Sequence, residues 1–329
     1  MNGIDINRFQ FEYDLTWMSF FQNHDGRTYL RYGGREDDGP DTHLSKDSLL
    51  IAMNKALELH ASQAVKPTSQ YEPINDEPLT PEDIPSIQKM LAKRKVKCIH
   101  CHDVKTAKLT EIRSRGKLKK EMVFSYPSPT NLGIQLDPIN QNKIKSVDNG
   151  SAAMQSGLKA GDILVSLAGQ DVFTYGDATR VLELAPQSGQ LDATFVRAGK
   201  RIKTEIMLGD KWRTGGDPSW RESTHVFGPN SGFWAVLLTP EQKSSFRLAE
   251  NQLALKITAI WGAWARKAGL KHGDVVVSID GKSTAMHIRQ LQTYLQMKKN
   301  WGDSVEITVL RGAEELQMNL DLPTAPTNE

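Results

Sequence analysis

The chain has 329 residues, 39% hydrophobic and 24% charged, a length and composition typical of two or three globular domains. Its 41 Lys and Arg against 39 Asp and Glu leave a net charge of +2, which does not favour a nucleic-acid partner or an anionic membrane surface. No apolar run approaches the roughly 18 residues of a membrane-spanning helix, and the first residues lack the pattern of a signal peptide.

The first 65 residues are predicted to form a β-hairpin followed by a helix. Two apolar segments, residues 17–21 and 27–32, flank residues 23–26, whose Asp-Gly pair supplies the positive φ of a hairpin turn. A cap at Ser45 begins the helix, and the apolar residues within 49–57 are expected to form a buried stripe. One hairpin and one helix bury little core, so this segment is expected to be half of a domain.

The hairpin resembles the C-terminal portion of a thioredoxin fold, where the pattern F-F-x-x-x-D-G-x-x-x-x-R-Y-G precedes the last helix. Here the pattern runs from Phe20 to Gly33. The resemblance implies that a first strand and a redox helix lie upstream. We therefore expect that Met1 is not the natural start, and that the missing part carries a signal sequence and a Cys-x-x-Cys or selenocysteine centre.

Both cysteines of the chain lie in one short motif. Cys98 and Cys101 are followed directly by His102, which gives the pattern C-x-x-C-H. This pattern attaches haem c, because two thiols on one helical turn form thioethers while the next histidine supplies an axial nitrogen to the iron. The sequence thus predicts a haem c site with Cys98 and Cys101 as attachment points and His102 as the iron ligand.

Three other interpretations of this motif stay open. Thiolate and imidazole also suit Zn or Cu, in which case Cys98, His100, Cys101 and His102 are the candidate ligands. The two thiols could instead form a redox pair, or they could be a solvated pair without a role.

An internal repeat organises the second half of the chain. Residues 157–169, which begin Gly-Leu-Lys-Ala-Gly-Asp, recur as residues 269–281, which begin Gly-Leu-Lys-His-Gly-Asp. Each copy follows a strand-like segment and a short helix of small residues, and precedes a longer helix and a closing strand. The same structural unit is therefore predicted twice.

This repeat resembles the PDZ domain in the strand order usual for bacterial proteins. The resemblance implies that a peptide C-terminus adds as a strand, with its carboxylate bound by backbone N–H groups of the preceding loop. The expected peptide-binding residues are Leu132, Gly133 and Ile134 in the first copy and Gly232, Phe233 and Trp234 in the second. The Phe-Trp pair disturbs the apolar-Gly-apolar pattern, so the second copy is expected to bind much more weakly.

The order of these parts resembles a thioredoxin-like/PDZ family of environmental bacteria, some of whose members are described as selenoproteins. The predicted fold class is α+β, a partial thioredoxin-like hairpin and helix followed by two PDZ domains. The predicted parts are half of a thioredoxin-like domain (1–65), a linker with the helical C-x-x-C-H segment (66–130), PDZ domain 1 (131–209), a linker (210–231), PDZ domain 2 (232–323) and a tail (324–329).

The predicted function is that of an extracytoplasmic, redox-associated interaction protein, whose PDZ domains hold peptide or protein C-termini beside a c-type haem. The alternative is a PDZ adaptor or scaffold with a structural Zn or Cu site or a thiol redox pair. Because haem c is assembled outside the cytoplasmic membrane, the motif predicts a periplasmic protein. The sequence contains no Gly-x-Ser-x-Gly motif, so we predict no protease site, and redox activity only if an active site lies upstream.

Overall fold

The computed structural model describes residues 1–37, 39–62 and 77–325, which fall into two compact units. The first unit contains residues 1–108 and 121–216, and the second contains residues 109–120 and the chain from residue 217 onward. The start of the predicted 66–130 segment and most of the predicted tail lie outside the described residues. Within the described ranges, no helix is both long and apolar enough to cross a membrane.

The predicted N-terminal hairpin forms. Strands β1 (Met18–Gln22) and β2 (Thr28–Gly33) pair antiparallel. The turn is closed by Asn23, whose carbonyl accepts from the Gly26 N–H at 3.0 Å and whose Oδ1 accepts from the Arg27 N–H at 2.8 Å. Gly26 has a φ of +77°, as the Asp-Gly signal predicts.

Helix α1 (Lys46–Ala61) begins at the predicted cap, where the Ser45 hydroxyl accepts from the Ser48 N–H at 3.1 Å. Most of the predicted buried stripe is wrong, because four of its five residues are exposed, Leu50, Ile51, Met53 and Leu57, and only Leu49 is partly buried. The helix instead buries Ala52 and Ala56 in a small cluster with Leu30 and Tyr32 of β2. Small residues on this face let the helix approach the hairpin closely.

The C-x-x-C-H segment shares a core with the start of the chain. It follows helix α2 (Pro85–Lys93), and its last two residues, Cys101 and His102, begin helix α3 (Cys101–Ser114). The buried residues of this core come from both segments and are Ile6, Phe11, Tyr13, Leu15, Ile84, Ile87, Ile99, Val104 and Ala107. The motif is therefore packed against N-terminal residues.

The first repeat copy lies in the first unit and forms two small sheets. Its elements are β3 (Ile134–Leu136), β4 (Ile144–Val147), α4 (Ala152–Gln155), β5 (Ile163–Leu167), β6 (Gln170–Asp171), α5 (Tyr175–Leu184), β7 (Gly189–Arg197) and β8 (Lys200–Leu208). Strand β3 pairs only with β4, while the other sheet has the order β6-β5-β7-β8. One edge of β3 is thus not paired within its sheet.

The second repeat copy lies in the second unit and forms one sheet with the order β13-β12-β11-β10-β9. Its elements are β9 (Phe233–Leu237), α6 (Pro240–Ser245), β10 (Leu255–Ile260), α7 (Ala263–Lys267), β11 (Val275–Ile279), α8 (Ile288–Lys298), β12 (Ser304–Arg311) and β13 (Glu314–Asp321). Strand β9, the counterpart of β3, is again an edge strand. Helix α6 is an insertion between β9 and β10, since no helix separates β3 from β4.

The Gly-Asp dipeptide of the repeat has the same structural role in both copies. The buried Asp162 accepts from Nε of Arg197 at 2.7 Å, and the buried Asp274 accepts from Nε of Arg311 at 2.8 Å. Burial alone would raise the pKa of Asp274, but hydrogen bonds from Arg311 and from a backbone N–H lower it. Each pair ties the turn before β5 or β11 to the end of the strand beside it.

Candidate peptide-binding sites

The two predicted carboxylate-binding loops adopt the same backbone turn. Gly133 (φ +82°) directly precedes β3, and Gly232 (φ +77°) directly precedes β9. A Cβ atom on Gly133 would lie 2.2 Å from Cβ of Ser151, so the turn requires glycine for both its φ and its space. Ser231 of the second copy is therefore the residue equivalent to Leu132 of the first.

The predicted loop residues differ in exposure. Leu132 and Ile134 of the first copy and Phe233 of the second are buried in their cores. Trp234, which we predicted in the second loop, lies within β9, with 39% of its surface exposed on the face opposite to Phe233 and Ala235. The structure therefore assigns Trp234 to the outer face of the strand and not to the loop.

Helix α5 flanks the first loop, and its N-terminal end contacts residues of the N-terminal hairpin and of the segment that follows the hairpin. The carboxylate of Asp177 accepts from the Arg31 N–H at 2.8 Å, and the ring of Tyr175 stacks on His43 at a centroid distance of 3.7 Å. Burial raises the pKa of Asp177 to about 6, although hydrogen bonds from the Arg31 and Phe173 N–H groups oppose the shift. The helix that flanks the first binding strand is therefore held by the hairpin.

A second buried carboxylate fixes the segment before the first loop. Glu36 accepts a hydrogen bond from the Ser128 hydroxyl, and its Oε2 lies 3.0 Å from Nε2 of His43. Burial alone would raise the pKa of Glu36, but these hydrogen bonds and the charge of His43 lower it. The ionised carboxylate thus joins the turn that leads into the loop to residues near the hairpin.

In the second copy, the loop N–H groups already have acceptors. Oε1 of Gln292 on α8 accepts from the Ser231 N–H at 3.0 Å, and its Nε2 donates to the Phe233 carbonyl at 3.0 Å. Oδ1 of Asn230 accepts from the Gly232 N–H at 2.9 Å, and the Ser231 hydroxyl accepts from the Phe233 N–H at 3.3 Å. Gln292 was not identified from the sequence. The available signal is its place beside Leu291 and Leu295 on the apolar side of an amphipathic helix, where glutamine is unusual.

A polar surface depression of about 680 Å³ lies elsewhere on the first copy. Its lining residues come from the end of α4, from β5 and from β7 and β8: Gln155, Ser156, Ser166, Gly169, Asp192, Ala193, Thr194, Lys203, Thr204 and Glu205. Since neither β3 nor α5 contributes to it, this depression is not the expected peptide groove.

The cysteine motif has two different thiol environments. Cys98 is exposed, whereas Cys101 is half-buried against the N-terminal core, where burial raises the pKa of its thiol. The rings of His100 and His102 stack, with centroids 5.5 Å apart. Asp103 accepts from the His100 N–H at 2.9 Å, which fixes the start of α3.

The residues of this motif do not form a preassembled metal site. Among the residues that the structure describes, no three His, Cys, Asp or Glu side chains are grouped so that they could hold a metal ion. Haem c, with Zn or Cu as the alternative, stays a prediction for Cys98, Cys101, His100 and His102.

Comparison with known families identifies the repeat. Models of the PDZ domain match residues 143–197 and residues 262–322. The chain therefore contains two PDZ domains in tandem. This confirms the PDZ part of the predicted α+β fold, and it supports peptides or protein C-termini as the general class of partner.

Bacterial serine proteases are among the proteins similar to this chain. A "probable periplasmic serine endoprotease DegP-like" from Pseudomonas putida (strain W619) is 26% identical over 173 residues, covering 50% of this chain and 34% of that protein. A "probable periplasmic serine protease do/HhoA-like" from Haemophilus influenzae (strain ATCC 51907 / DSM 11121 / KW20 / Rd) is 23% identical over 167 residues, covering 49% and 31%. The chain spans about a third of the length of these relatives.

Solved structures of HtrA-type proteases match over a similar portion of the chain. The protease AlgW with a decapeptide is 16% identical, covers 50% of this chain and 55% of that chain, and gives a TM-score of 0.27. The same protease with a tripeptide is 18% identical, covers 53% and 57%, and gives a TM-score of 0.28.

These comparisons correct the function predicted from sequence. The curated relatives are named as periplasmic serine proteases and not as redox proteins, so the predicted redox-associated, haem-bearing role is wrong, as is its alternative of an adaptor built on a metal or thiol redox site. The thioredoxin-like character predicted for residues 1–65 is not supported either, although the hairpin and helix form.

Proposed function

We propose that this chain is a periplasmic tandem-PDZ protein that binds protein C-termini through its first PDZ copy. The observation that carries the proposal is the glycine turn at Gly133, which leads into an edge strand shortly before the residues that the PDZ model matches, 143–197. The periplasmic location is supported by the relatives, which are named as periplasmic.

The geometry of the first copy suits strand addition. Strand β3 hydrogen-bonds to β4 along one edge, which leaves its other edge for an extended peptide. The turn through Leu132 and Gly133 precedes this strand, at the position where backbone N–H groups bind a terminal carboxylate in such domains. We propose no catalytic role for these residues.

We expect the full chain to bind peptides with a free C-terminal carboxylate with a Kd in the micromolar range, about −8 kcal/mol. Amidation should abolish binding, because it removes the charge that the loop N–H groups recognise. Fluorescence anisotropy with a library of labelled C-terminal peptides measures the Kd of the carboxylate forms and the loss of binding on amidation. Equal affinity for carboxylate and amide forms would contradict the proposal.

A pair of glycine variants locates this binding. Gly133→Ala should weaken it at least tenfold, because the new Cβ would collide with Ser151 and distort the loop. Gly150→Ala is the matched control, since Gly150 has a similar φ of +73° but no atom within 4 Å of the added Cβ. Unchanged affinity in a folded Gly133→Ala protein would place the site elsewhere.

A further inference from the structure

The second PDZ copy differs from the first in how its carboxylate loop is bonded. We propose that Gln292 occupies this loop from within, so that the second copy does not bind C-terminal carboxylates and the first copy alone captures them. The inference rests on the proposed function of the first copy and adds a specificity-determining residue to it.

Gln292 reaches the loop from the helix that flanks the binding strand. It lies on α8, is 9% exposed, and its amide contacts the fully buried Ser231. Its Oε1 accepts the Ser231 N–H at 3.0 Å, which is a bond that a peptide carboxylate oxygen would otherwise make. The glutamine oxygen therefore stands where the ligand's charge would be bound.

The remaining loop bonds suit an amide better than a carboxylate. Nε2 of Gln292 donates to the Ser231 hydroxyl at 2.6 Å and to the Phe233 carbonyl at 3.0 Å. An ionised carboxylate accepts hydrogen bonds but donates none, so it could not replace these two bonds. A peptide terminus that displaced Gln292 would remove both of these bonds, and the Phe233 carbonyl would keep only its bond from the Ser231 hydroxyl at 3.1 Å.

The other two loop N–H groups also have acceptors within the loop. Oδ1 of Asn230 lies 2.9 Å from the Gly232 nitrogen, and the Ser231 hydroxyl oxygen lies 3.3 Å from the Phe233 nitrogen. The three successive N–H groups of this loop are thus bonded internally. A carboxylate would have to break all of these bonds, since it offers only new acceptors in exchange.

The first copy has a different residue at the corresponding helix position. Thr179 lies five residues after the helix cap Thr174, as Gln292 lies five residues after the cap His287. The Thr179 hydroxyl is too short to imitate Gln292 and donates to the Gly176 carbonyl of its own helix at 3.2 Å.

The asparagine of the first loop also has a different partner. The side-chain Nδ2 of Asn131, the counterpart of Asn230, donates to the Arg213 carbonyl at 3.1 Å. At both positions the side chain that closes the second loop is thus replaced in the first loop by one that bonds elsewhere, although the Gly133 N–H itself donates to the Thr130 carbonyl at 2.9 Å.

The test is an amide-resolved NMR titration of the full chain with a pool of N-acetylated pentapeptides ending in free Val, Ile, Leu, Phe or Ala. In the unaltered protein, signals of Leu132, Gly133 and Ile134 should shift with a micromolar Kd, while those of Ser231, Gly232 and Phe233 should not move. In Gln292→Thr, which introduces the residue of the first copy, the second set should also shift, with a Kd within about tenfold of the first.

Two further variants keep the test decisive. Gln292→Ala provides a smaller replacement if the threonine variant does not fold, and Gln296→Ala removes a buried glutamine of the same helix that makes no described contact with the loop. Gln296→Ala should leave the second loop unresponsive to the peptides.

Equal shifts in both loops of the unaltered protein would overturn the proposal, as would a folded Gln292 variant whose second loop stays silent. If the first loop is silent in every protein while the second responds only in Gln292 variants, the proposed function fails and the role of Gln292 stands.

Discussion

Replacing Asp177 with alanine is expected to destabilise the first unit by about 3 kcal/mol. Oδ1 of Asp177 accepts from the Arg31 N–H at 2.8 Å, and Oδ2 accepts from the Phe173 and Thr174 N–H groups at 3.2 Å. Alanine removes the acceptor of all three donors, at about 1–3 kcal/mol for each donor that stays buried. It also removes the capping box that begins α5.

Native-state hydrogen exchange of the β2 and α5 amides measures this loss, because a chain of two units need not unfold in one step. Asp192→Ala, which removes an exposed carboxylate on β7, is the control and should leave those exchange rates unchanged. Protection of α5 that is equal in both variants would show that Asp177 does not hold the helix to the hairpin.

The effect of Asp177 should depend on pH in an unusual direction. Burial raises its folded pKa from 3.8 to about 6, so between these values the folded protein keeps a proton that the unfolded chain has released. Stability from this group is therefore fully present below pH 4 and declines as the pH rises through 6. The stability difference between the unaltered protein and Asp177→Ala should shrink by about 1 kcal/mol from pH 5 to pH 7.

Replacing Gly33 with alanine should also cost about 3 kcal/mol. Gly33 ends β2 with a φ of +128°, which residues with a Cβ rarely adopt, and that Cβ would lie 2.3 Å from the Trp17 carbonyl oxygen. Because the clash is with backbone, the strands of the hairpin must separate locally. Gly116→Ala is the control, since its φ of +66° is positive but no atom lies within 4 Å of the added Cβ.

Exchange rates of the β1 and β2 amides measure the effect of Gly33→Ala against Gly116→Ala. Equal rates in the two variants would mean that the hairpin tolerates a side chain at position 33. Gly33 is the last residue of the F-F-x-x-x-D-G-x-x-x-x-R-Y-G pattern. The close approach of the Trp17 carbonyl oxygen explains why this position is glycine.

Local signals predicted much of this fold because they act over few residues. The Asp25-Gly26 turn requires positive φ whatever surrounds it, and the repeated Gly-Asp dipeptide marks the same buried Asp–Arg pair in both copies. The face of α1 was not predictable in this way. Leu50 and Leu57 follow helical spacing, yet the helix packs on the hairpin through Ala52 and Ala56, with Leu49 and Leu59 partly buried beside them.

The candidate site was predictable only in part. The PDZ motif located both loops, but the sequence could not reveal that Gln292, some 60 residues after Ser231, bonds to that loop, because such a contact depends on tertiary packing. The C-x-x-C-H pattern predicts haem attachment from the spacing of two cysteines and a histidine alone. This spacing does not determine which residues surround each cysteine. The burial of Cys101 against the N-terminal core depends on tertiary packing.

The stoichiometry of peptide binding tests the central claim most directly. Titration calorimetry of the full chain with the tightest carboxylate-terminated pentapeptide should give one site per chain. The Gln292→Thr variant should give two sites, and the amidated peptide should give none with either protein. Two equivalent sites in the unaltered protein, or heat of binding that survives amidation, would contradict the account of one open and one closed PDZ copy.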